Sequence, residues 1–84
     1  INGTASNDQL YGGGGNDTLS GLNGADLLEG GSENDTLYGG NGSDALFGAA
    51  GSDHLDGGAG DDELHGGDDN DGVYGGSGND TSYG

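Results

Sequence analysis

Aspartate recurs at Asp8, Asp17, Asp26, Asp35, Asp44, Asp53, Asp62, Asp71 and Asp80, one every nine residues without a slip. Five residues before each stands a glycine, at Gly3, Gly12, Gly21, Gly30, Gly39, Gly48, Gly57, Gly66 and Gly75, with Gly84 continuing the series. Carboxylates on a fixed period, each closing a loop rich in glycine and asparagine, are oxygen ligands in waiting for a hard cation. Calcium takes about six to eight oxygens and accepts carboxylates mixed with backbone carbonyls, a donor set that suits zinc or copper far less. The glycines serve the same end, because a loop that turns its carbonyls inward must visit positive φ, which glycine does without steric cost.

The elements that would hold these loops follow from a third column. Two residues after each Asp comes an apolar side chain, at Leu10, Leu19, Leu28, Leu37, Leu46, Leu55, Leu64 and Val73, with Ser82 as the exception. Each repeat therefore divides into a six-residue loop and a three-residue segment with one inward side chain, as in Thr18-Leu19-Ser20 or Thr36-Leu37-Tyr38. Loop and short strand alternate along the whole chain. The period holds across residues 3–83, so residues 1–84 are expected to form a single module of nine nonapeptide repeats without linkers.

Composition sets the energetic terms. Only 26% of the 84 residues are hydrophobic, too few to drive folding by burial against the entropy of ordering the backbone. The net charge is −16 with no Lys or Arg, which excludes electrostatic nucleic-acid binding and polybasic membrane attachment. No apolar run is long enough for membrane insertion by this segment. With 24 glycines, the composition alone describes a disordered polyelectrolyte, and that is the state expected without metal. The absence of cysteine rules out disulfides and thiolate chemistry. A start at Ile1, without methionine or signal peptide, reads as a fragment or processed module.

Gly39-Gly40-Asn41-Gly42-Ser43-Asp44-Ala45-Leu46-Phe47, Gly57-Gly58-Ala59-Gly60-Asp61-Asp62 and Gly75-Gly76-Ser77-Gly78-Asn79-Asp80 carry the loop pattern in full. They resemble the G-G-x-G-x-D-x-U-x nonapeptide of the repeats-in-toxin (RTX), or haemolysin-type, calcium-binding family, whose motif is known as a parallel β-helix repeat. The resemblance implies an all-β fold, a right-handed parallel β-roll with two repeats per turn and about 4.5 turns, in which calcium sits between loops stacked on one edge. Asp8, Asp26, Asp44, Asp62 and Asp80 would then share one edge, and Asp17, Asp35, Asp53 and Asp71 the other. The ligands would be these nine carboxylates with the loop carbonyls of Gly12, Gly30, Gly39, Gly42, Gly48, Gly57, Gly60, Gly66, Gly75 and Gly78. Roughly seven enclosed Ca2+ ions would nearly neutralise the chain. The family's arrays belong to proteins exported by bacteria, which implies a secreted module that folds outside the low-calcium cell.

Departures from the pattern are expected to weaken particular sites. Ser6, Glu33 and Asp69 replace glycine at the fourth position of their repeats, and Thr4, Leu22 and Ala49 replace it at the second. His54 and His65 lie at the variable seventh and ninth positions, and a thin roll offers no cleft for catalysis, so no enzymatic activity is expected. Tyr11, Tyr38, Phe47, Tyr74 and Tyr83 occupy the ninth position and are expected to point outward. The rival reading is structural: a subunit of a calcium-stabilised extracellular fibre or adhesin, with rolls associating end to end or on neighbouring domains through uncapped strand edges.

Overall fold

The computed structural model describes residues 1–83, and every regular element in it is a β-strand. In chain order these are β1 (Gln9–Gly13), β2 (Thr18–Ser20), β3 (Leu27–Gly31), β4 (Thr36–Tyr38), β5 (Ala45–Ala49), β6 (His54–Asp56), β7 (Glu63–His65), β8 (Gly72–Tyr74) and β9 (Thr81–Tyr83). They alternate between two parallel sheets, ordered β1-β3-β5-β7-β9 and β2-β4-β6-β8. The register is 18 residues throughout: Leu10 opposes Leu28, Leu28 opposes Leu46, and Leu37 opposes Leu55. Two nonapeptides thus make one turn, and the chain is a β-solenoid of about four turns, the parallel β-roll that the repeat implies.

The apolar column becomes the core. Leu19, Leu28, Leu37, Leu46, Leu55 and Leu64 are fully buried between the two sheets, with Leu10 just behind and Val73 packed against them. Because side chains alternate along a strand, the residues either side of each leucine face outward, which lets a slab of 27 × 23 × 12 Å have a dry interior with so few apolar residues. Tyr11, Tyr38, Tyr74 and Tyr83 are exposed as expected. Phe47, half-buried, stacks on His65 with ring centroids 4.6 Å apart, and His65 on Tyr83 at 4.4 Å, so one outer face carries an aromatic pile through three turns. Ser82, in the leucine column, is exposed, yet β9 still pairs with β7 in register.

The sheets differ in a way the repeat does not announce. β1, β3 and β5 have five residues rather than three, because pairing runs past the leucine to Gly13, Gly31 and Ala49 at the second loop position. On the opposite edge the strands stop after three residues, and isolated bridges link Asn23, Asn41, Ala59 and Ser77 at the third loop position.

Candidate metal centres

Each turn contributes one Asp to each edge, and the stacking of turns places like on like. Asp26, Asp35, Asp44, Asp53 and Asp62 are all no more than 4% exposed, a degree of burial that carboxylates tolerate only with partners. One oxygen of each has a partner. The backbone N–H of Asp26 donates to Asp44 Oδ1 at 2.8 Å, that of Asp44 to Asp62 Oδ1 at 2.8 Å, and that of Asp62 to Asp80 Oδ1 at 2.9 Å. The other edge repeats the scheme, from Asp17 to Asp35, Asp35 to Asp53 and Asp53 to Asp71. Carboxylates eighteen residues apart are therefore linked, whereas neighbours nine residues apart stand on opposite edges.

The second oxygen is the informative one. Oδ2 of Asp17, Asp26, Asp35, Asp44, Asp53, Asp62 and Asp71 is buried and accepts no hydrogen bond. An orphaned, ionisable oxygen repeated seven times is a heavy penalty unless a cation is meant to meet it. Burial accordingly pushes the Asp44 and Asp62 carboxyls up to about 6; the N–H bonds from Asp26 and Asp44 oppose the rise, and nearby carboxylates add to it. Asp35 and Asp53 shift in the same direction, again chiefly by burial.

The glycine column explains itself beside these oxygens. A Cβ on Gly39 would lie 2.6 Å from Asp44 Oδ2 and 2.7 Å from the Gly57 carbonyl oxygen; one on Gly57 would lie 2.5 Å from Asp62 Oδ2 and 2.7 Å from Gly75 O. Gly12 (Asp17 Oδ2, Gly30 O) and Gly48 (Asp53 Oδ2, Gly66 O) repeat the pair on the other edge. A carboxylate oxygen of one turn and a carbonyl oxygen of the next thus converge on a space that only glycine leaves open. Of the carbonyls expected as ligands, those of Gly30, Gly39, Gly57, Gly66 and Gly75 border such a space. Gly42 and Gly60 carbonyls instead lie against the positive-φ glycines Gly60 and Gly78 of the following turn. Among the described residues no three His, Cys, Asp or Glu side chains converge on one point, so any cage must draw on further oxygens, of which the converging backbone carbonyls are the nearest at hand. That composition fits calcium and not a metal that needs several imidazoles or thiolates.

The ends of the Asp series differ. Asp8 Oδ2 already accepts from the Thr4 N–H at 2.5 Å and from Thr4 Oγ1 at 3.0 Å, so the threonine in the first loop's second position occupies that carboxylate. Asp80 binds the Asp62 N–H, and its Oδ2 is not among the buried orphans.

The family model of the RTX calcium-binding nonapeptide repeat, four copies long, matches residues 1–28, 20–55 and 47–81. The chain belongs to this family. No curated protein and no solved structure matches it. As an RTX array the chain is a calcium-binding repeat module, and its loops add one feature that the repeat motif leaves as a variable position. The fifth-position side chain accepts from the backbone one turn on: Asn7 Oδ1 from Ala25 N, Asn16 Oδ1 from Asn34 N, Asn34 Oδ1 from Ser52 N and Asp61 Oδ1 from Asn79 N, at 2.8–3.0 Å. This ladder points toward the C-terminus while the Asp ladder points back, so successive loops are stapled in both directions. The signal was present in the sequence as Asn or Asp at Asn7, Asn16, Asn34, Asp61, Asn70 and Asn79.

Proposed function

We propose that this module is a calcium-dependent folding unit of a secreted protein, taking several ions into the gaps between stacked loops and serving a structural rather than a catalytic role. The seven buried Oδ2 atoms without a partner carry this reading. In the gaps that begin at Asp17, Asp26, Asp44, Asp53 and Asp62, the Asp of one turn offers that oxygen, the first-position glycine of the next turn offers its carbonyl, and the glycine between them keeps the space clear. Bound calcium supplies the positive charge that the chain lacks. Asp26, Asp35, Asp44, Asp53 and Asp62 hold their Oδ1 on a backbone N–H, which fixes the carboxylate plane and aims Oδ2.

The charge of −16 makes the collapsed roll self-repelling without cations, and a core of leucines between two thin sheets is small. Folding and binding are thus one equilibrium, which favours the unfolded chain in a low-calcium cytoplasm and the roll outside it. A calcium titration followed by circular dichroism and sedimentation tests this: β-structure should appear with calcium at the millimolar scale and not with magnesium, which is smaller and demands a regular octahedron. A roll fully folded in metal-stripped buffer would overturn the proposal.

A further inference from the structure

The two edges are not built alike. On the edge of Asp44 the loop tips are joined by backbone: the N–H groups of Gly42 and Gly60 donate to the carbonyls of Ala59 and Ser77 at 3.0 and 3.2 Å, completing the third-position bridges. On the edge of Asp53 the pairing ends one residue earlier, at Gly13, Gly31 and Ala49, and no third-position bridge forms among the described residues. Fourth-position N–H groups there need another acceptor. Gly15 N donates to Glu33 Oε2 at 3.1 Å, and Gly51 N donates to Asp69 Oδ2 at 3.3 Å, each one turn away.

Glu33 and Asp69 are the two residues that replace glycine at the fourth position on this edge, and they hold φ of 71° and 68°. Left-handed backbone is costly for an L-residue, so local strain alone favours glycine at both places. A side chain that reaches back one turn gives the costly residue a task that glycine cannot perform. The edge even contains its own control. Its middle gap, between the Asp35 and Asp53 loops, has Gly51 at the later fourth position, so no carboxylate reaches back to Glu33.

We propose that Glu33 and Asp69 are positioning residues for calcium, each fixing the spacing of the two loops it bridges by holding the N–H of Gly15 or Gly51. The inference rests on the calcium reading above and deepens it: both edges share a third-position backbone bond, such as Ser32 N–H to the Gly13 carbonyl at 3.2 Å and Asp68 N–H to the Ala49 carbonyl at 3.1 Å, but in the outer gaps of this edge, Asp17/Asp35 and Asp53/Asp71, the fourth-position N–H is latched by a side chain, where Gly42 and Gly60 of the opposite edge use backbone. Glu33 acts through the preceding loop, not as a third carboxylate on the ion, consistent with the absence of any three-carboxylate cluster among the described residues.

The test compares Glu33→Gly and Glu33→Gln in the full chain, with Asp69→Gly and Asp69→Asn as the second pair, by calcium calorimetry and by amide NMR of the calcium-loaded protein. Glu33→Gly, although it relieves the positive φ, should weaken one site about fivefold and shift the Gly15 amide upfield as its hydrogen bond is lost. Glu33→Gln keeps an acceptor oxygen without the charge, and should bind within about twofold of the parent with the Gly15 amide in place. Asp69→Gly should do the same at Gly51 alone. Unchanged or tighter binding in both glycine variants would overturn the proposal, as would a loss in Glu33→Gln equal to that in Glu33→Gly, which would make the residue a direct charged ligand. A parent chain that binds no calcium would overturn the calcium reading itself and this inference with it, whereas a parent that binds normally beside indifferent glycine variants sinks only the latch.

Discussion

Asp44 donates its backbone N–H to Asp62 Oδ1 at 2.8 Å, while Oδ2 of both residues is buried without a partner. Each carboxylate therefore splits its work, one oxygen binding the turn before it and the other buried without a partner. Asp62 in turn donates to Asp80, so it stands between two gaps of one edge.

Replacing Asp62 by alanine should accordingly disturb two ion sites, those it forms with the Asp44 and Asp80 loops. Asp80→Ala should disturb one and leave most of the roll folded. Titration calorimetry is expected to show a loss of about two ions for the first variant and about one for the second. Equal losses would mean that the ions are not shared between adjacent turns.

How much of this was legible beforehand differs by feature. The Asp and leucine columns announced themselves, because a repeat that stacks on its own copy must put identical residues in register, and Leu28 does meet Leu46 as Asp26 meets Asp44. The 18-residue register came with the family resemblance. The fifth-position ladder was overlooked because its residue type varies and its role depends on which backbone N–H lies one turn away. The unequal edges were hidden for a related reason. One nonapeptide pattern describes both, and only the contacts between turns separate the side-chain latches of Glu33 and Asp69 from the backbone bridges of Asn41 and Ala59.

The cradle beside the first-position glycine gives a cleaner test than removing a ligand. Gly39 is not at positive φ, so Gly39→Ala brings no backbone strain and only a methyl group, 2.6 Å from Asp44 Oδ2 and 2.7 Å from Gly57 O. Calcium affinity at that gap should fall by about tenfold or more, the scale of an overpacked site. Gly14→Ala is the control, also without positive φ and with nothing nearer than Ser32 Oγ at 3.8 Å, and it should bind like the parent. Isothermal calorimetry on both decides the matter.

Leu46 carries no oxygen to offer a cation, yet its burial in the leucine core belongs to the same cooperative unit as the Asp44 loop that precedes it. Leu46→Asp puts an unpaired charge between the sheets and should cost about 3 kcal/mol or more of calcium-loaded stability, with Leu37→Asp behaving alike. Both should raise the calcium concentration at the folding midpoint in circular dichroism. A midpoint unmoved in either variant would place those side chains in solvent.

Acid should act in opposite directions with and without calcium. Burial lifts the carboxyls of Asp44 and Asp62 from 3.8 to about 6, so between these limits the metal-free roll binds more protons than the unfolded chain. A raised carboxyl pKa makes the roll's stability greatest below the unfolded value and lost as pH climbs through the folded one, so the metal-free protein should gain β-structure on acidification from pH 7 toward 4. Calcium requires the same carboxylates ionised, so its affinity should weaken as pH falls below about 6. Circular dichroism of metal-stripped protein at stepped pH, beside calcium titrations at the same values, should show slopes of opposite sign. Parallel slopes would mean that the buried Asp ladder does not govern the pH response.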